Sequence, residues 1–467
     1  MAENRKADAA QEDVPLSSLL EQAQAYGSTQ HLIEADELLA RALRQCPDDF
    51  NIALLHAQNR YVLGYPVAAL FERICAQHPG STEAARLYAQ AMISEGEGEG
   101  AEALLVNRLT DQPDWLDGHK LLAQLRWTRG DQLTFDTGYA AACARMRAHA
   151  ALWFAWYGTA MLAKNWARAL EILDRAERHI AGNATLAVAR AIALVEAGDA
   201  GADAALRHTE AVNNDMLALA RVRHALRRHD LVRAEAAALP VLRGRTPGLI
   251  WPYLSLVWRL RGDRRAAWLD QPEYFIRAFD VGLSATELAD LATTLRTLHT
   301  ASAPYIEQSV RGGTQTDRSV LLRHEPILQH TRAALMDAVR SYIDGLPMPE
   351  PAHPLLGRPR GQLRIEGSWS VRLTRQGYNV AHTHPMGWLS SAFYVAVPPV
   401  DTLGPAPAGW ISFGEPPPEL GVDLAPYQQI APEVGRLVLF PSTMWHRTVP
   451  FEDGERLVIA FDVQSVS

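Results

Sequence analysis

The sequence predicts an α+β multidomain protein: an N-terminal all-α helical-repeat solenoid, then a strand-rich domain braced by helices. Three observations predict it. Of the 28 prolines, 9 lie before residue 301 and 19 after it. The first part is rich in Ala, Leu and Arg with apolar residues at helical spacing, whereas the last third alternates short β-branched and aromatic runs with Pro and Gly. Within the helical part, proline recurs at a near-constant interval.

At 467 residues the chain is long enough for two to four domains and a sizeable core. Charged residues make up 21% and hydrophobic ones 48%, which excludes a disordered or fibrous chain. The net charge of -8 argues against a nucleic-acid binder or a partner of anionic membranes. Cys46, Cys75 and Cys143 are too few for a disulfide framework and have no zinc-ligand spacing, so they read as reduced residues of a cytoplasmic protein. The start, MAENRKADAAQEDVP, lacks the apolar core of a signal peptide, and the most apolar stretch, Leu152 to Ala163, falls short of a membrane span.

Residues 1–28 read as a polar N-terminal segment and residues 29–278 as the repeats. Pro47, Pro79 and Pro113, in the contexts CPDD, HPGS and QPDW, each end one helix and precede another. Small and large apolar residues alternate between them, as in ADELLARAL and STEAARLYAQAMISEG. A period near 34 with Ala and Gly where helices must touch resembles tetratricopeptide repeats, which implies stacked helix pairs with a concave face for a protein or peptide. Trp153, Trp156 and Trp166 suit one buried face and read as core.

Residues 283–467 read as the second domain. Two helices open it, LSATELADLATTLRTLHTAS and PILQHTRAALMDAVRSYIDGL, without the repeat pattern; they are expected to brace the sheet. Ser284 followed by Glu287 forms a capping box that fixes the start of the first. The strand-rich text follows as AHTHPMGWLSSAFYVAV, GWISFG and GRLVLFPSTMWHRTVPFEDGERLVIAFDV. In an extended strand alternate side chains share a face, so His382 and His384 point the same way and form a chelating pair. His446 follows a further apolar strand, and Arg456 comes beyond an acidic turn.

HxH, a distant His and an Arg ten residues on, inside short strands, resemble the iron(II)- and 2-oxoglutarate-dependent oxygenases. The fuller set QSVRGGTQT, HTHPMGWLSSAFYV, GWISFG and LFPSTMWHRTVPF is similar to the 2-oxoglutarate oxygenase family often found behind tetratricopeptide repeats. The resemblance covers roughly residues 300–467. It implies a double-stranded β-helix of jelly-roll type, with Fe(II) as the metal and 2-oxoglutarate and dioxygen as cosubstrates. It also implies His382 and His446 as metal ligands, and Arg456 as the partner of the distal carboxylate of 2-oxoglutarate.

The chemistry asks for such residues. Iron(II) in these sites takes three protein ligands on one face and leaves positions for a bidentate 2-oxo acid and dioxygen. A buried second carboxylate is met best by a planar guanidinium through two parallel hydrogen bonds. The usual triad is HxD or HxE with a distal His, whereas position 384 is His. Either His384 completes a three-histidine set, which also suits zinc or nickel, or it faces substrate and water completes the sphere.

Strand parity adds a check. A two-residue hairpin turn at Asp453-Gly454 would place His446 and Arg456 on opposite faces, so an odd loop or bulge is expected. Arg456, Val458 and Ala460 then line the cavity while Leu457, Ile459 and Phe461 pack outward. Tyr394 shares a strand face with Ser390 and Ala392; related oxygenases place a tyrosine there against the 2-oxo acid. Arg311 and Gln315, in a Gly-rich loop over the mouth, and Trp388 are the substrate-facing expectations. No nucleotide-binding loop, nucleophile elbow or kinase set is present.

The resulting expectation is an iron(II)- and 2-oxoglutarate-dependent dioxygenase that hydroxylates a protein or peptide side chain or a small metabolite, its repeats holding substrate or partner. The alternatives are a catalytically silent barrel with an interaction scaffold, and a zinc-binding cupin-like protein.

Overall fold

A computed structural model describes residues 14–306 and 308–466. The chain forms two compact units, one of residues 1–107 with 318–332 and one of residues 108–317 with 333–467. Of the stretch read as a polar N-terminal segment, residues 1–13 lie outside the described residues, and Leu16–Ser28 are helical. No helix among the described residues is long and apolar enough to cross a membrane.

The first unit stacks antiparallel helices, among them Leu32–Gln45, Phe50–Val62, Ala68–Gln77 and Thr82–Ser94. The recurring prolines stand between helices as expected, and after Pro47 and Pro79 the residue two positions on supplies the cap. Asp49 accepts from the Ile52 N–H at 3.0 Å and Ser81 from the Ala84 N–H at 3.1 Å. Ala84, Ala85, Ala89 and Ala91 are fully buried, since small side chains let the helix faces meet. Residues 318–332 join this unit through aromatic contacts: the Arg318 guanidinium lies 4.7 Å over the Tyr61 ring, and His324 stacks on Tyr65 at 3.9 Å.

In the second unit the helical pattern continues from Leu116–Thr128 to Trp251–Leu260. Trp153 and Trp156 are core, as the sequence implied, packed with Ile172 and Leu173. The Trp156 indole donates to Asp136 at 2.6 Å, so its one polar atom is satisfied.

Among the described residues nine strands follow: β1 Arg277–Asp280, β2 Val310–Gln315, β3 Gln362–Asn379, β4 Leu389–Ala396, β5 Ile411–Phe413, β6 Gln428–Ile430, β7 Arg436–Pro441, β8 His446–Thr448 and β9 Arg456–Val466. They form an antiparallel six-stranded sheet, ordered β1-β7-β4-β9-β3-β2, and an antiparallel three-stranded sheet, β6-β5-β8. The α+β class and its helices-then-sheet order are therefore as expected. Two helices brace the large sheet. Ala285–Thr297 starts at the expected capping box, with Ser284 accepting from the Glu287 N–H while Glu287 returns to the Ser284 N–H at 2.8 Å. Its Arg296 pairs with Glu455, which also holds Arg372 of β3. Helix Pro326–Asp344 places Tyr342 against β1, with its hydroxyl donating to the Phe275 carbonyl at 2.8 Å and its ring edge-on to Phe279.

Two local expectations are corrected. QSVRGGTQT is not a loop: Val310–Gln315 is the edge strand of the large sheet, paired with β3. Its glycines serve a bulge, for Gly312 has φ +67° and a Cβ on Gly313 would lie 2.2 Å from the Arg372 carbonyl oxygen. Nor do His446 and Arg456 flank a hairpin. β8 pairs with β5 in the small sheet, while β9 lies between β4 and β3 in the large one. The turn crosses between sheets, so two-residue parity does not apply. The facing is nevertheless as expected: Arg456, Val458 and Ala460 line the cavity between the sheets, and Leu457, Ile459 and Phe461 do not.

Candidate metal centre

His382 and His384 follow β3 in an extended segment. His382 forms an antiparallel bridge with His446, its N–H donating to the His446 carbonyl at 3.0 Å and the His446 N–H returning at 3.1 Å. The His384 N–H donates to the Ser442 carbonyl at 2.9 Å, which fixes the second histidine one step further along. Trp445, beside His446, donates its indole N–H to the Pro252 carbonyl at 3.0 Å and meets Tyr253 edge-on, so helix Trp251–Leu260 backs this strand.

A ring nitrogen from each of His382, His384 and His446 lies within 4.8 Å of the others. The Nδ1 of each is already engaged, at 2.8 Å to the Val380 carbonyl, 2.7 Å to the Asp462 carboxylate and 3.0 Å to the Met444 carbonyl respectively. Because those oxygens only accept, each Nδ1 carries a proton, which leaves Nε2 as the nitrogen each ring can offer to a metal. Ser309 Oγ approaches the His382 Nε2 at 3.4 Å. Burial pushes His382 down to about 3, helped by His384, and holds His446 well below its ordinary value, helped by His382 and His384. Both are thus neutral at physiological pH, the state in which imidazole binds a metal.

The cluster opens on a cavity of about 750 Å³. β9 sends Arg456 into it, 3% exposed, with the guanidinium carbon 4.9 Å over the Tyr394 ring. Arg456 Nε and Tyr394 Oη are both buried without a hydrogen-bond partner among the described residues. Burial raises the Tyr394 phenol, opposed by the cation above it, so the ring stays neutral. A buried guanidinium that no carboxylate of the described residues meets fits a carboxylate ligand, and three converging imidazoles fit a divalent ion.

Arg311 and Gln315 also line the cavity. Tyr394 does not line it directly and lies beneath Arg456. Trp388 is corrected: it is 3% exposed, absent from the lining, and bonded through its indole N–H to the Leu355 carbonyl at 2.9 Å. It sits just before β4, where the chain turns its side chain behind the sheet instead of into the cavity.

Two features escape a reading of the sequence. Trp127, Gln132 and Lys164, from turns that end helices Leu116–Thr128 and Ala150–Leu162, form part of the cavity wall. Arg447 lines it too, neutralised by two 2.8 Å hydrogen bonds to Glu415. Asp462, which holds His384, is by contrast legible in the sequence as the next member of the alternating series Arg456, Val458, Ala460.

Comparison with known proteins follows the same division. No curated protein matches the chain. A tetratricopeptide repeat protein from Parabacteroides merdae is 15% identical over 52% of this chain and 98% of its own, with a TM-score of 0.34. A prolyl-4-hydroxylase from Pseudomonas putida is 16% identical over 42% of this chain and 94% of its own, with a TM-score of 0.28. HygX from Streptomyces hygroscopicus, solved with nickel and 2-oxoglutarate, is 11% identical over 42% and 84%, with a TM-score of 0.30. Residues 67–125 match the family described as "Tetratricopeptide repeat", and residues 367–462, which hold all three histidines, Arg456 and Asp462, match that described as "Putative 2OG-Fe(II) oxygenase".

Proposed function

We propose that the strand domain is an iron(II)- and 2-oxoglutarate-dependent dioxygenase that hydroxylates a protein or peptide side chain or a small metabolite. The observation that carries this reading is the pairing, in one cavity, of three converging imidazoles with a buried guanidinium that no carboxylate of the described residues meets. When bound, iron(II) with 2-oxoglutarate supplies the activation of dioxygen for attack on a C–H bond.

The chain's own residues do the rest. His382, His384 and His446 hold the ion through Nε2, their Nδ1 partners fixing ring orientation before the ion arrives. Arg456 takes the distal carboxylate of 2-oxoglutarate, with Tyr394 within reach of the guanidinium it underlies. The sheets exclude water around them, which strengthens that charge pair. Substrate enters past Arg311, Gln315, Trp127 and Lys164, so helical turns contribute to its selection, and the repeats hold a protein or peptide partner.

The test is succinate formation from 2-oxoglutarate by anaerobically purified protein reconstituted with iron(II) and then given dioxygen. Turnover should require iron(II) and vanish in His446→Ala. A protein that binds zinc tightly and never decarboxylates 2-oxoglutarate, with candidate substrates present, would instead make the domain a zinc-binding barrel.

A further inference from the structure

Three neutral histidines leave a bound divalent ion with both its positive charges, whereas a set of two histidines and one carboxylate leaves it with one. Asp462 is placed to make up the difference. Its two oxygens lie 2.7 and 2.8 Å from the His384 Nδ1, so the N–H donates into the carboxylate. The Nδ1 partners of His382 and His446 are neutral carbonyls, which makes His384 the one ligand of the three joined to an anion. No lysine or arginine among the described residues pairs with Asp462. Its other partner is the Ser390 hydroxyl, which donates to Oδ1 at 2.6 Å and lies 2.8 Å from the Ser442 hydroxyl. The carboxylate is therefore held rigidly, with its charge directed at His384.

We infer that Asp462 is a positioning residue that supplies, through His384, the negative charge missing from the coordination set. It also fixes His384 with Nε2 toward the ion. The inference rests on the metal reading above and deepens it. A carboxylate behind a ligating imidazole raises that ligand's basicity, and removing such a partner typically weakens metal binding about 10- to 100-fold. The departure from HxD at position 384 then moves the carboxylate one residue outward instead of removing it.

The experiment titrates full-length protein with cobalt(II) under anaerobic conditions, reading affinity by calorimetry and geometry by the visible absorption of the bound ion. Asp462→Asn keeps the shape of the side chain and one acceptor oxygen for the His384 N–H, and removes its charge. It should bind cobalt(II) about 10- to 100-fold more weakly, with a shifted spectrum. Ser390→Ala, which leaves the charge in place, should change affinity only a few-fold. The double variant His384→Asp with Asp462→Asn returns a carboxylate to the coordination set and should bind more tightly than Asp462→Asn alone.

In the wild-type protein the proton spectrum of the cobalt(II) form should show three exchange-protected, hyperfine-shifted imidazole N–H signals. This measurement decides the matter even where Asp462→Asn does not fold. Wild-type affinity and spectrum in a folded Asp462→Asn, or only two such N–H signals in the wild type, would overturn the role of Asp462 while leaving the metal site standing. A wild-type protein that binds no cobalt(II) would overturn the metal reading itself.

Discussion

Replacing Arg456 by methionine should move stability and cosubstrate binding in opposite directions. Arg456 is 3% exposed, its Nε has no partner, and its nearest compensation is the Tyr394 ring 4.9 Å below. An unpaired buried ion costs several kcal/mol even after relaxation, of which a desolvated cation–π contact returns about 2 kcal/mol. The ligand-free protein thus carries roughly 1–3 kcal/mol of uncompensated charge burial. Methionine, flexible and apolar, occupies the same channel without it. At about 1.4 °C per kcal/mol for a unit of this size, the thermal midpoint of ligand-free protein should rise by about 1–4 °C.

Binding responds the other way. Losing one partner of a buried charge pair costs roughly 2–5 kcal/mol, or about 30-fold to several thousand-fold in the 2-oxoglutarate dissociation constant. Both quantities come from one assay, thermal unfolding of manganese(II)-loaded protein under argon across a 2-oxoglutarate series. The wild-type midpoint climbs with cosubstrate, and the Arg456→Met midpoint starts higher and stays flat. A variant that starts lower, or that still climbs at the wild-type concentrations, would refute the assignment of Arg456 as an anion receptor awaiting its anion.

Other perturbations follow from the same structure. His299 bonds Thr314 of β2 and Ser370 of β3 at 2.8 and 2.9 Å, and burial, aided by Arg372, pushes its pKa down to about 4. The unfolded chain therefore binds more protons than the native one between about pH 6.5 and 4. Stability is full above that range and falls through it by up to about 1.4 kcal/mol per pH unit from this residue; His299→Gln should flatten the slope of urea midpoints against pH. A Cβ at Gly248 would lie 2.1 Å from the Pro385 carbonyl oxygen, so Gly248→Ala should displace the segment behind His384. It should cost roughly 1–3 kcal/mol of stability and lower cobalt(II) affinity, read by calorimetry. Ser284→Ala removes half of the capping box and should cost about 1 kcal/mol in thermal unfolding, with metal affinity unchanged.

What the sequence made legible was local. The capping box at Ser284 and Glu287, the prolines between helices and the alternation along β9 are short-range patterns, set by backbone hydrogen bonding and by which face is wet. The three histidines and Arg456 could be picked out because few side chains serve their chemistry. What stayed hidden depends on which strands meet. The link from His446 to Arg456 looks like a hairpin in one dimension, yet it joins two sheets. Val310–Gln315 looks like a loop because its glycines, needed for close approach to β3, are also the residues of turns. Trp388 reads as a binding aromatic because nothing nearby in the sequence announces the Leu355 carbonyl that holds its indole. Asp462 differs from these cases, since the alternation already in hand reaches it.

The reciprocal backbone hydrogen bonds between His382 and His446 set the span between two of the imidazoles by main-chain geometry. The Val380 and Met444 carbonyls then hold each ring's direction through Nδ1. Such a gauge is ready before any ion comes, so loading it demands little rearrangement. It also resists ions whose preferred bond lengths would pry the two strands apart. On the metal reading proposed above, an ion that demands a wider span would have to part the peptide ladder, and substitutions in the surrounding side chains would leave that ladder in place.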